Sequence, residues 1–232
     1  MFQINWKLKS FLYSLFVFLK LQSTFYLVQK HITKRSRVNI AQINELWKFH
    51  ANTIKKYKTR NLLEVGAGKS LEQNIFISYY FQNMISQTLI DINKMIDLNI
   101  VNQANEQILK LLGFKNNGDI KNLEDLKLKY NIDYSAPKTL DNLIDDKKKF
   151  DICISTNTLE HFPKKDLKDF LYKIKKVVSK NGLVSSIIDY SDHYSHTDKN
   201  ISSLNFLQFS EKEWEKYNNT YLFQNRLRHQ DY

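Results

Sequence analysis

Leu62-Leu-Glu-Val-Gly-Ala-Gly-Lys-Ser70 decides how this chain is read. Leu62, Leu63 and Val65 form a short apolar run, suited to a strand buried on both faces. Gly66 and Gly68 break the run, and a largely apolar segment follows from Leu71. The pattern is strand, glycine turn, helix, with the helix expected from about Ser70 to Asn83 and Ser70 as its N-cap. Glycine serves where backbone must come close to a ligand, because a Cβ would collide. The helix start beyond it offers free N–H groups and a positive dipole end to an anionic or polar group.

Three ligand classes use such a turn, and the neighbouring residues separate them. A phosphate-binding loop matches at Gly68-Lys69-Ser70 but needs its first glycine where Leu63 stands. A dinucleotide fingerprint matches at Gly66 and Gly68 but needs its third glycine where Leu71 stands. Glu64, two residues before the first glycine, would repel phosphates and accept an ammonium group. S-adenosylmethionine carries an ammonium and a sulfonium and no phosphate. At this point the sequence resembles the class I S-adenosylmethionine-dependent methyltransferases, whose first motif is E/D-x-G-x-G.

Gln87-Thr-Leu-Ile-Asp91 is a second short strand ending in an acid, placed to accept both hydroxyls of a ribose. That role fits a nicotinamide cofactor as well as S-adenosylmethionine. A helical pattern from Met95 to Leu112 stops at Gly113, a small helix follows within 114–131, and Ile132-Asp-Tyr134 reads as a short third strand. Phe150-Asp-Ile-Cys-Ile-Ser-Thr156 is a buried strand leading into Asn157-Thr-Leu-Glu-His-Phe162, and it resembles the family's F-D-x-[IV]-x-[ST] followed by L-E-H. The resemblance implies that Glu64, Gly66, Ala67, Gly68, Asp91, Ile92, Thr156 and Asn157 hold the cofactor, with Thr156 and Asn157 at its methionine end. Glu160 and His161 read equally as helix-start residues.

Leu167, Phe170, Leu171, Ile174, Val177 and Val178 give an amphipathic helix closed by Asn181-Gly182, and Leu183 to Ile188 a fifth strand. The expected fold is α/β: a Rossmann-like, mostly parallel sheet with helices on both faces. The Asp189–His196 loop, with Ser203-Leu-Asn-Phe-Leu207, Trp214 and Asn225-Arg-Leu-Arg228, resembles a bacterial subgroup found among surface-glycan genes. His193 and His196 are three apart, but no third ligand is evident, so no metal is assigned. His193 is the first expected general base and His161 the second. The last two strands usual in the family, a hairpin against strand five, have no convincing counterpart before Tyr232. An abbreviated or truncated sheet with an exposed edge on strand five is expected.

The composition, 42% hydrophobic and 25% charged over 232 residues, is that of a globular chain with a sizeable core. The net charge of +11 comes from scattered lysines, which argues against a nucleic-acid partner while favouring an anionic substrate or membrane. One cysteine, Cys153, lies in an apolar strand and fits a reducing, cytoplasmic location. Phe11 to Leu19 resembles a signal peptide's apolar region but lacks a cleavage site, and Lys20 ends the run too early to span a bilayer. Residues 1–40 therefore read as a helical extension that packs on the domain of residues 41–232 or touches the inner membrane face. The basic group His31, Lys34, Arg35 and Arg37 would supply contact with anionic lipid.

These readings converge on methyl transfer from S-adenosylmethionine to an oxygen or nitrogen of a small-molecule or glycan acceptor. Two alternatives stand beside it. An NAD-dependent oxidoreductase shares Asp91 and the paired glycines, but Glu64 would oppose its pyrophosphate. A non-catalytic module on the same fold would bind a membrane or a partner.

Overall fold

The computed structural model describes residues 4–21, 38–116, 118–220 and 222–232. The group His31, Lys34, Arg35 and Arg37 lies outside the described residues. The chain divides into two compact units. One contains Ser36–Thr158 and Lys168–Ile187; the other contains Met1–Arg35, Leu159–Leu167 and Ile188–Tyr232. This division differs from the expected one at residue 40, because the first helix groups with the end of the chain.

The larger unit is built on five parallel strands: β1 (Asn61–Val65), β2 (Ser86–Ile90), β3 (Ile132–Ser135), β4 (Phe150–Thr156) and β5 (Val178–Ile187). Their order is β3-β2-β1-β4-β5, so the direction of winding reverses between β1 and β4. This is the Rossmann-like sheet expected from the apolar runs. Right-handed crossovers place the helices that follow β1 and β2 on one face and the helix between β4 and β5 on the other. The first set is α3 (Glu72–Tyr80) and α4 (Leu98–Leu112); the second is α7 (Lys164–Val177). α2 (Glu45–Tyr57) leads into β1 and packs on α3. Its Trp47, Ala51 and Ile54 join Leu62, Ile75, Leu89, Val101, Ile108 and Ile152 in the main core.

The punctuation follows local chemistry. Asp97 caps α4 by accepting from the Asn99 N–H, and Gly113 ends it in the left-handed conformation. α5 (Leu123–Tyr130) is capped by Asn122 and closed by Asn131, also left-handed. α6 (Leu140–Asp145), not expected, is one short turn opened by a reciprocal Thr139–Asn142 capping box. Two expectations fail at helix ends. Leu71, not Ser70, is the N-cap of α3, at φ 49° and without a side-chain cap. α7 ends at Val177, and Asn181-Gly182 sits within β5 instead of closing a helix. There the pairing jumps from Phe150↔Val178 to Ile152↔Leu183, a bulge. A Cβ on Gly182 would lie 2.4 Å from Val178 Cγ1 and 2.9 Å from the Asp151 carbonyl, which explains the glycine.

No strand follows β5 among the described residues, so β5 ends the sheet order as expected. In the smaller unit, α1 (Trp6–Phe18) is capped by Asn5 and α8 (Glu211–Trp214) by a Ser210–Glu213 capping box. Trp6 packs with Tyr194, Phe209, Trp214 and Tyr217, and the Trp6 N–H donates to Asp198 Oδ2 at 2.9 Å. Leu8, Phe11, Leu15 and Phe18 of the same helix are exposed. No described helix is long and apolar enough to cross a membrane.

Candidate functional site

The glycine turn lies where the sheet reverses, the position at which open α/β sheets take ligands. Gly66 and Gly68 both have positive φ, 80° and 69°. Their surroundings differ. A Cβ on Gly66 would meet Thr158 Cγ2 at 2.5 Å, so that glycine is required by the chain's own packing. A Cβ on Gly68 would meet nothing within 4 Å, so the turn is open there. Gly66→Ala should therefore cost about 2 kcal/mol, combining left-handed strain with the clash. Adding Thr158→Ala should recover the steric part alone, read by denaturant unfolding of the single and double variants. Equal costs with and without Thr158 would refute the packing role.

Asp91 follows β2 and is 8% exposed. Its Oδ2 accepts the Gly68 N–H at 3.2 Å and its Oδ1 the Asn93 N–H at 3.0 Å. The acid thus fixes the turn and uses up the very N–H that a bound phosphate would need. Beside it Ile92 is 71% exposed. Asn157, after β4, is exposed at φ 50°, and its N–H donates to the Ile187 carbonyl at 2.9 Å. Ala67 lies between the glycines, half-buried.

Glu64 and Thr156 turn out to be members of a buried polar row. Both Glu64 oxygens accept from α3, one from Gln73 Nε2 at 3.2 Å and one from Asn74 Nδ2. Gln73 Oε1 accepts from Thr156 Oγ1 at 3.0 Å. With its one proton given away, Thr156 Oγ1 accepts from His50 Nε2 at 3.1 Å, which leaves His50 Nδ1 to accept from Ser185 Oγ at 3.0 Å. On the other side Asn74 and Ser78 bond to Gln87 of β2. Burial pushes the Glu64 carboxyl up to about 7 against the pull of its amide partners, and burial alone takes His50 down to about 4. Glu64, 4% exposed, is thus enclosed beneath the turn, each of its oxygens already accepting one amide N–H from α3. Cys153, also on β4, is pushed by burial up to about 12, an inert thiol.

A hollow of about 320 Å³ opens at the amino ends of the strands, lined by Asn61, Ser86, Asp133 and Lys148 among others. It lies at the opposite end of β1 from the glycine turn.

The smaller unit brings three histidines together. A turn of 3-10 helix at Leu159–His161 and another at His193–His196 bring His161 and His193 rings to 5.1 Å between centroids, with His196 the same distance from His193. Glu160 joins them: donor atoms of Glu160, His161 and His193 all lie within 4.8 Å of one another. The group pairs His193 with two residues more than thirty positions upstream and does not include His196. His161 Nδ1 is 2.8 Å from the Phe223 carbonyl. A carbonyl only accepts, so Nδ1 carries the proton and Nε2 keeps a lone pair. Asp189 Oδ2 lies 3.4 Å from His193 Nε2 and 3.5 Å from His196 Nε2. Burial, then the neighbouring His161, lowers His193 to about 4. Burial, with repulsion from Asp189, raises Glu160 to about 7.

No protein-family model and no curated protein matches the sequence. Solved structures do resemble the chain. A candidate O-methyltransferase from Nostoc punctiforme aligns over 60% of this chain and 36% of its own length, at 15% identity and TM-score 0.40. A candidate caffeoyl-CoA O-methyltransferase from Staphylococcus aureus aligns over 88% and 82%, at 14% identity and TM-score 0.40. Magnesium protoporphyrin IX methyltransferase from Synechocystis, solved with S-adenosylhomocysteine bound, aligns over 61% and 59%, at 12% identity and TM-score 0.38. The chain thus spans about a third of the Nostoc protein. At such identities and scores the activity has to be argued from the residues.

Three site residues escaped the sequence reading: His50, Gln73 and Asn74. His50 carried one available signal, a polar residue on the buried face of α2 between Trp47 and Ile54. Gln73 and Asn74 carried none, being ordinary polar residues in the first turn of α3.

Proposed function

We propose that the larger unit binds S-adenosylmethionine at the carboxyl edge of its sheet and transfers the methyl group to an oxygen or nitrogen of a small-molecule or glycan acceptor. The bond between Asp91 and the Gly68 N–H carries this reading. It places an acid beside an open glycine turn and leaves that N–H unavailable to phosphate, which disfavours the nicotinamide and nucleotide alternatives. The residues fit the cofactor at Gly68, Asp91, Ile92 and Asn157, whereas Glu64 lies enclosed behind the turn and bonded to Gln73 and Asn74.

When bound, the cofactor supplies a methyl carbon already activated by its sulfonium. The protein's task is alignment. Asp91 keeps lone pairs for ribose hydroxyls. Exposed Ile92 offers an apolar surface to the base. Ala67 and Gly68 let the backbone approach, and the Asn157 amide is available at the methionine end, whereas the Thr156 hydroxyl is held by Gln73 and His50. Glu64 acts behind the turn, tying α3 to β1.

Calorimetric titration with S-adenosylhomocysteine and with NADH tests the reading. S-adenosylhomocysteine should bind and NADH should not. Asp91→Asn, which keeps an acceptor for Gly68 but loses the charge, should weaken binding by about 10- to 100-fold, as expected for a charged hydrogen bond. No binding by a folded chain, or binding indifferent to Asp91→Asn, would end the proposal.

A further inference from the structure

We propose that Glu160, His161 and His193 form a binding site for one divalent transition metal of the zinc class. The inference stands on the smaller unit alone and needs no S-adenosylmethionine.

The first observation is Glu160. Its side chain is 1% exposed, and neither carboxylate oxygen has a hydrogen-bond partner. The N–H groups of Glu160 itself and of Asp189 lie near enough to influence it, but neither points at an oxygen with hydrogen-bond geometry. A buried carboxyl without partners is costly, and nearby Asp189 adds repulsion. A cation bound between the carboxyl and the imidazoles removes both costs.

The second observation is donor availability. The Phe223 carbonyl fixes the His161 tautomer with Nε2 free, the arrangement of metal-bound histidines, whose other nitrogen donates to a carbonyl or carboxylate. His193 has a carboxylate beside its ring, Asp189 Oδ2 lying 3.4 Å from Nε2. Donors bound at about 2.1 Å in a tetrahedral site stand roughly 3.4 Å apart. The observed 4.8 Å limit therefore closes with side-chain adjustments of about 1 Å. His161 is exposed and provides the entry path.

The third observation is preorganisation. Two adjacent residues each hold one half of the cluster. Asn225 donates its N–H to the Glu160 carbonyl at 2.7 Å and its Nδ2 to the carbonyls of Leu159 and Phe162 at 2.9 Å. Gln224 accepts the His193 N–H at 3.1 Å and donates to the Ser191 carbonyl. The backbone on which the ligands sit is thus fixed before any metal arrives.

The donor set selects the metal class. Two imidazoles and one carboxylate suit zinc, iron(II) or cobalt(II), and three protein ligands leave a position for water or a substrate oxygen. Magnesium and calcium prefer all-oxygen sites.

The test uses the full chain, stripped with a chelator, dialysed and titrated with Zn²⁺ calorimetrically and with Co²⁺ by its visible d–d absorption. One equivalent should bind, and a large excess of Mg²⁺ or Ca²⁺ should not displace it. His161→Ala, an exposed position that should leave the fold intact, and Glu160→Gln should each weaken binding by more than about tenfold. His229→Ala, exposed and outside the cluster, should not. Absence of stoichiometric binding by a folded chain would overturn the site, as would binding unchanged in both cluster variants. Because the readout is the metal itself, failure here leaves the S-adenosylhomocysteine titration unaffected, and the converse holds.

Discussion

Trp6→Ala should lower stability by about 3–5 kcal/mol, the range for truncating a buried tryptophan. Trp6 is 5% exposed and contacts four aromatic rings, with centroid distances from 4.8 to 6.3 Å. Two further bonds hold the same end of α1: Lys9 Nζ to Thr197 Oγ1 at 2.8 Å and Ser10 Oγ to the Tyr217 carbonyl at 3.2 Å. Truncation leaves those bonds around a cavity, so residues 188–232 should become susceptible to protease before the sheet does. Denaturant unfolding, with proteolysis read by mass spectrometry, checks both parts. A loss below 1 kcal/mol would show that the helix merely rests on the surface. Phe11→Ala, on the exposed side of α1, serves as the internal comparison and should change stability little.

Glu64→Gln should remove a pH dependence worth about 3 kcal/mol, the equivalent of moving the carboxyl from 4.5 to about 7. The sign follows from linkage. A folded-state pKa above the unfolded value means that the native chain holds the proton more tightly. That contribution is fully present below about pH 4.5 and is lost as pH rises through 7. Relative to the parent, Glu64→Gln should therefore gain stability steadily between those limits. Chemical unfolding at several pH values measures the difference, and parallel curves would refute the assignment. The variant also separates two roles. A carboxyl held by Gln73 and Asn74 predicts nearly unchanged S-adenosylhomocysteine affinity, whereas a carboxyl that receives the ammonium predicts a large loss.

The sheet was legible because its strands are continuous apolar runs bounded by punctuation. Leu62-Leu63, Leu89-Ile90 and Ile152–Ile154 are all buried, and the glycines after Val65 mark where the first strand stops. Asp91 was legible as a strand-end acid, although its bond to the Gly68 N–H was not. The surroundings of Glu64 were hidden for a physical reason. Its partners sit nine and ten residues away on a helix whose rotation against the sheet is set by tertiary packing. Asn181-Gly182 was misread because a glycine demanded by a bulge looks the same as one that closes a helix. The Glu160–His161–His193 cluster was invisible for a further reason. Its halves come together through bonds to Phe223, Gln224 and Asn225, and no local periodicity records such a link.

The placement of Trp6 has a consequence for how the chain is made. Its backbone partner Asp198 is 192 residues downstream, and its ring partners extend to Tyr217. At ribosomal speeds of about 5–20 residues per second, α1 waits roughly 10–40 s before its counterpart exists. All five strands have been synthesised by Ile187, so the sheet can form while this first helix is still without its aromatic partners. Throughout that interval Trp6, buried in the finished chain, lacks the rings that cover it. Faster completion of the last forty residues would shorten the nascent chain's most vulnerable period.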